Sequence, residues 1–111
     1  MINILMSGCN GRMGQVISSA VNERDDVRII CGVDTYDGTK NNYPVYPDFV
    51  NIGEKVDVII DFSNPSALEG LLDYAVKNNV PSVLCTTGYS EAQIEAINIT
   101  MASLIMMFCL L

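Results

Sequence analysis

Four short, near-continuous apolar runs, separated by stretches whose apolar residues recur at helical spacing, leave this chain few ways to fold. The runs are Ile2 to Met6, Val27 to Val33, Val56 to Phe62 and Val80 to Thr86. A strand with one wet face alternates apolar and polar residues, whereas one apolar throughout belongs to a parallel sheet covered on both faces. Between the first two runs, Met13, Val16, Ile17, Ala20 and Val21 fall at i, i+3, i+4, i+7 and i+8, one face of a helix. Leu68, Leu71, Leu72, Ala75 and Val76 repeat that stripe. Asn64-Pro65 reads as its start, with proline at the first helical position, where the missing N–H costs nothing. Asn78-Asn79 ends it, and Ser90-x-x-Gln93 fits a capping box for a third helix running to about Ile97. Tyr36 to Asp48 is rich in Gly, Asn, Pro and Asp and reads as a long irregular loop. Parallel strands need crossovers of about a dozen residues. The order β-α-β-loop-β-α-β-α therefore predicts an α/β fold, a doubly wound parallel sheet.

Composition narrows the function. The chain has 111 residues, enough for one domain, and is 50% hydrophobic and 17% charged, which excludes a disordered tail. Thirteen acids against six bases give a net charge of −7, which a nucleic-acid backbone would repel. A dinucleotide stays open, because backbone N–H groups and a helix N-terminus supply a local positive field. There is no histidine, and the four cysteines include no C-x-x-C pair. Cys₂His₂ zinc and Ser-His-Asp or Cys-His catalysis are thereby excluded, and no metal is expected. The start, Met1 to Met6, has no basic n-region or cleavage site, so the expected location is cytoplasmic with no membrane partner.

The chemistry is concentrated at strand ends. Gly8-Cys-Asn-Gly11-Arg-Met-Gly14 follows the first run and opens the first helix. Gly8 permits a tight turn, Gly11 a close approach of main chain to a pyrophosphate, and Gly14 close helix–strand packing. An arginine at a helix start, Arg12, opposes the helix dipole unless an anion sits there. Asp34 ends the second run, twenty positions after Gly14, where a carboxylate accepts hydrogen bonds from adenosine ribose hydroxyls and repels a 2′-phosphate. That favours NADH over NADPH, with Lys40 in the following loop able to soften the preference. Asp61-Phe-Ser-Asn-Pro65 and Cys85-Thr-Thr-Gly-Tyr89 occupy the carboxyl ends of the third and fourth runs.

Taken in order, G-C-N-G-R-M-G, V-D-V-I-I-D-F-S-N-P and V-P-S-V-L-C-T-T-G-Y resemble the nucleotide-binding domain of the 4-hydroxy-tetrahydrodipicolinate reductase (dihydrodipicolinate reductase) family, over residues 1–97. The resemblance implies a Rossmann-like domain and NAD(P)H-dependent reduction of a cyclic dicarboxylate in diaminopimelate and lysine biosynthesis. It implies that Gly8, Cys9, Asn10, Gly11, Arg12 and Met13 contact the pyrophosphate and that Asp34 contacts the adenosine ribose. Phe62 and Ser63 would line the cofactor cleft, and Cys85, Thr86 and Thr87 would flank the nicotinamide. Cys85 stands where the family usually has glycine. Thr35 stands where a basic residue often follows the acidic one, which again favours NADH, with NADPH possible.

The family's second domain, with its His-His-x-x-Lys-x-Asp segment, supplies the proton donor, the substrate site and the tetramer. None of its motifs occurs here, so the expectation is a single incomplete domain without catalytic residues, inactive alone and not forming the homotetramer. After Glu95 there is no charged residue. Residues 98–111 read either as a buried terminal strand or helix or, as preferred here, as an apolar tail of other origin behind a dinucleotide-binding domain of residues 1–97. Two further readings are a non-catalytic NAD-binding or redox-sensing module and a fragment of a nucleotide-sugar epimerase. The latter rests on the shared G-x-x-G-x-x-G spacing. The Tyr-x-x-x-Lys that such enzymes need is matched by count at Tyr36-x-x-x-Lys40, but its place in a Gly/Asn/Pro loop provides no helix to orient it, and the match is read as coincidence.

Overall fold

In the computed structural model, residues 1–101 and 106–108 are described. The order is β1 (Ile2–Ser7), α1 (Arg12–Asn22), β2 (Val27–Val33), β3 (Val45–Tyr46), β4 (Val58–Asp61), a 3-10 turn (Pro65–Ala67), α2 (Leu68–Asn78), β5 (Ser82–Leu84), α3 (Glu91–Met101) and β6 (Met106–Phe108). The strands form one sheet in the order β3-β2-β1-β4-β5-β6, every neighbouring pair parallel. Chain order therefore runs outward in both directions from the β1–β4 junction. Because βαβ crossovers are right-handed, α1 packs on one face and α2 with α3 on the other. The doubly wound parallel sheet expected from the apolar runs is the fold observed.

Local chemistry sets the element ends. Asn64 caps the 3-10 turn by accepting from the Ser66 N–H at 3.0 Å, so Pro65 opens a tight turn and α2 begins at Leu68. Asn79 closes α2 in the left-handed conformation (φ 54°), which asparagine tolerates. The capping box before α3 is formed: Ser90 N–H donates to Gln93 Oε1 at 2.9 Å and Gln93 N–H to Ser90 Oγ at 3.2 Å. This helix reaches Met101, four residues past the expected end.

Three expectations need correction. The segment read as irregular contains β3, held where Gly32 N–H donates to the Pro44 carbonyl at 2.9 Å and Asp34 N–H to Tyr46 O at 3.0 Å. Two of the stripe residues of α1 face water, Met13 at 43% and Val16 at 55% exposure, while Gly14 and Val21 are its buried residues. A Cβ on Gly14 would run into the carbonyls of Gly8 and Cys9, so the helix touches the β1 end through its glycine. Val76, placed in the second stripe, is likewise exposed, and Tyr74 is buried instead.

The core lies on the α2/α3 side. Leu5, Cys31, Val33, Ile59 and Leu84 from the sheet meet Leu68, Leu71, Leu72, Ala75 and Ile97 from the helices. Phe49, from the segment before β4, is buried against Tyr74 with ring centroids 5.8 Å apart. That contact ties the segment to α2 and builds an outer wall beside the carboxyl edge of β1, β2 and β4.

Candidate functional site

The sheet reverses its order between β1 and β4, and in open α/β sheets the crevice at that point, beyond the carboxyl ends of the strands, is where ligands bind. Here the crevice opens into a cavity of about 710 Å³ whose walls include Gly8, Gly11, Asp34, Thr35, Phe62 and Ser63, together with Phe49 and Tyr74. Five residues expected from sequence to contact the cofactor, Gly8, Gly11, Asp34, Phe62 and Ser63, thus meet in one cavity, though they come from three separate loops.

Backbone hydrogen bonds set the ends of the glycine turn. Gly8 has φ +82° and donates to Val33 O at 2.8 Å, while Gly11 N–H donates back to Gly8 O at 3.1 Å. A Cβ on Gly8 would strike the Phe62 carbonyl, so the β1 and β4 loops approach too closely for any side chain there. Gly11 caps α1 without a side chain, and the first turn of the helix holds no acidic residue. The first N–H groups of the helix therefore meet no capping oxygen, an arrangement that favours an anion at this end.

Asp34 serves the same turn. Its Oδ2 accepts from Asn10 N–H and its Oδ1 from Tyr36 N–H, both at 3.0 Å. Asn10 is buried, and its side-chain amide donates to the Tyr36 carbonyl. The loops after β1 and β2 are thereby pinned together before any ligand arrives. With its own N–H engaged by Asp34, Asn10 reinforces the loop rather than presenting that group to the cavity.

Cys9 is turned away from the cavity. Its side chain is fully buried beneath the sheet against Gly32, leaving only its main chain in the turn. Burial, with Asp34 nearby, pushes its thiol up from 9.0 to about 11, and burial pushes the Cys31 thiol to about 12. Both groups are thiols at neutral pH and behave as small apolar residues. Their raised values favour the fold fully below pH 9 and progressively less as pH rises through about 11 and 12. At pH 8, Ellman's reagent is expected to leave both unmodified until denaturant unfolds the chain, and the denaturation midpoint is expected to fall between pH 8 and pH 10.5. Rapid labelling of native protein at these two positions would contradict the burial.

Arg12 and Met13 stand exposed at the start of α1, outside the cavity wall. Cys85 and Thr86 are buried at the end of β5, and Thr87 is exposed beyond them. Asp61 and Tyr89 belong to the strand-end motifs of β4 and β5, and the fold brings them together. Asp61 is 2% exposed and accepts hydrogen bonds from Ser63 Oγ (2.5 Å), Thr86 Oγ1 (2.7 Å) and Tyr89 Oη (3.2 Å). Burial and the facing Asp61 carboxylate push the Tyr89 phenol well above its ordinary value, which keeps it a donor. Sequence signals a carboxylate at a strand end but not partners up to 28 positions away. Tyr36 and Lys40 lie in no helix, so the Tyr-x-x-x-Lys spacing has no geometric counterpart.

Among the described residues, no group of three or more His, Cys, Asp or Glu side chains is placed to hold a metal ion. None of the described helices is long and apolar enough to cross a membrane.

The comparisons with known proteins agree with this architecture. A family profile described as dihydrodipicolinate reductase, N-terminus, matches residues 2–110. The 4-hydroxy-tetrahydrodipicolinate reductase of Clostridium novyi (strain NT) is 41% identical over 98 residues, covering 88% of this chain and 39% of the relative. That of Clostridium tetani is 37% identical over 100 residues, again covering 39% of the relative. The chain thus spans about two fifths of the length of these curated relatives. Among solved structures, a dipicolinate-bound dihydrodipicolinate reductase from Paenisporosarcina sp. TG-14 superposes with a TM-score of 0.71 at 24% identity, over 90% of this chain and 43% of that one, a likeness in fold. By the extent of the profile match, the chain belongs to the dihydrodipicolinate reductase N-terminal family.

Proposed function

We propose that this chain binds a nicotinamide dinucleotide along the carboxyl edge of β1, β2 and β4 and serves the reduction of 4-hydroxy-tetrahydrodipicolinate to tetrahydrodipicolinate. The observation that carries the reading is the glycine cradle at the sheet's reversal point, where a Cβ on Gly8 or Gly14 would collide with backbone. Such a cradle fits a pyrophosphate brought against main chain at a helix N-terminus. Gly8, Gly11 and the first turn of α1, Arg12 and Met13 included, would hold that group. Asp34 would receive the adenosine ribose hydroxyls, and Phe62 and Ser63 would line the cleft. Cys85, Thr86 and Thr87, at the end of β5, would flank the nicotinamide, whose dihydro form supplies a hydride when bound.

NADH is the preferred form in this reading. The carboxylate of Asp34 repels a 2′-phosphate, and the residue that follows it in the chain and in the cavity wall is Thr35, while the cation of that wall, Lys77, comes from α2. The dicarboxylate substrate and the tetramer belong to the reading only through the longer relatives. For the 111 residues alone the expectation is binding without turnover, since the sequence contains no histidine to act as the family's proton donor. NADH at 100 times its dissociation constant is expected to stabilise the fold by about 2.7 kcal/mol, read as a rise in melting temperature, and NADPH at the same concentration by less. No shift with either nucleotide would contradict binding. Oxidation of NADH by the purified chain and substrate would contradict the expected inactivity.

A further inference from the structure

Asp61 is a fully enclosed carboxylate whose described side-chain partners are all hydroxyls: Ser63 Oγ at 2.5 Å, Thr86 Oγ1 at 2.7 Å and Tyr89 Oη at 3.2 Å. A carboxylate accepts hydrogen bonds and does not donate them, so the Ser63 hydroxyl commits its single proton to Asp61. Thr86 Oγ1 is used a second time, as acceptor from the Ser63 N–H at 2.9 Å. Ser63 is the member of this network that lines the cavity. The other acceptor near its hydroxyl, the Asn64 carbonyl, lies at 3.5 Å, so the Ser63 proton points to Asp61. What Ser63 Oγ can then offer the cavity is lone pairs. A ligand phosphate or carbonyl oxygen would meet it acceptor to acceptor, whereas a ligand hydroxyl or amide N–H would be matched.

We propose that Asp61 is a positioning residue that fixes the hydrogen-bond polarity of the cleft, so that Ser63 Oγ accepts from a donor group of the dinucleotide, a ribose hydroxyl or the carboxamide N–H. This rests on the dinucleotide reading above and adds to it the direction of one hydrogen bond and the group that sets it. Asp61 touches no ligand in this account and acts through Ser63.

The test is calorimetric titration of NADH into the full chain and into Ser63→Ala, Ser63→Thr, Asp61→Asn and the Ser63→Ala/Asp61→Asn double variant. Loss of one net hydrogen bond in Ser63→Ala is expected to weaken NADH about 2- to 10-fold. Ser63→Thr keeps the hydroxyl and is expected to stay within about twofold of the parent. In Asp61→Asn the amide oxygen is best placed where Oδ2 accepts from two hydroxyls, Thr86 and Tyr89. The new N–H therefore replaces Oδ1, donates to Ser63 Oγ and turns its proton outward, giving a loss like that of Ser63→Ala. The double variant is expected to lose no more than either single one, because both act through one hydroxyl. Additive losses, or an Asp61→Asn that lowers the melting temperature while NADH affinity holds, would overturn the proposal. Should Asp61→Asn fail to fold, the serine pair decides: loss with alanine and retention with threonine support it, and equal affinities overturn it. Parent chain that binds no NADH would remove the dinucleotide reading and this one together. Binding that is indifferent to Ser63→Ala would remove this one alone.

Discussion

Replacing Gly8 by alanine is expected to cost the fold about 2–5 kcal/mol and to abolish dinucleotide binding. Two effects add. At φ +82° an alanine sits in the left-handed region, at a cost of about 1–2 kcal/mol. Its Cβ also lies against the Phe62 carbonyl and 3.0 Å from Ser63 Cα, both main-chain atoms that cannot swing aside, adding about 1–3 kcal/mol of overpacking. Domains of this size are stable by about 5–15 kcal/mol, so the variant is expected to melt ~10 °C or more below the parent. Gly53→Ala is the control, since a Cβ there meets nothing within 4 Å and φ is not positive. Thermal melts followed by circular dichroism distinguish the two. If Gly8→Ala melts with Gly53→Ala, the close approach of the β1 and β4 loops is wrong.

Asp34→Ala is expected to reduce NADH affinity by about 10- to 100-fold, the range of one or more hydrogen bonds to a charged group. In the protein alone it removes the acceptor of the Asn10 and Tyr36 N–H groups, leaving a buried N–H without its partner. In the complex it removes the acceptor for the ribose hydroxyls. NADPH affinity is expected to fall less or to rise, because the repulsion of the 2′-phosphate goes with the carboxylate. The measurement is the ratio of the two dissociation constants in parent and variant. An unchanged ratio, with both nucleotides weakened alike, would assign Asp34 to loop pinning only and overturn its role in choosing the cofactor.

The fold was legible because parallel strands buried on both faces show themselves as near-continuous apolar runs, and β1, β2, β4 and β5 all lie within such runs. What two residues cannot show is a period. β3 is Val45–Tyr46 alone, held by the hydrogen bonds flanking it, and it hides in a segment whose composition signals loop. The apolar stripe of α1 located the helix but misjudged its contact line, because Gly14 brings the helix against the loop and leaves Met13 and Val16 outside. At the site, Gly8, Gly11 and Asp34 were readable since each is required locally, by a turn or a strand end. The Asp61 network was not, because Ser63, Thr86 and Tyr89 converge only when β4 and β5 pair. Cys9 stood inside the motif, and only the fold shows its side chain pointing into the protein.

The central claim, that the β1–β4 crevice takes a nicotinamide dinucleotide, is tested most directly by calorimetric titration of NADH into the folded 111-residue chain. The predicted result is saturable binding of one NADH per chain with a dissociation constant below about 1 mM, weaker for NADPH and lost in Gly8→Ala. Folded chain that gives no binding heat with NADH or NADPH, at several temperatures and up to millimolar nucleotide, would contradict it.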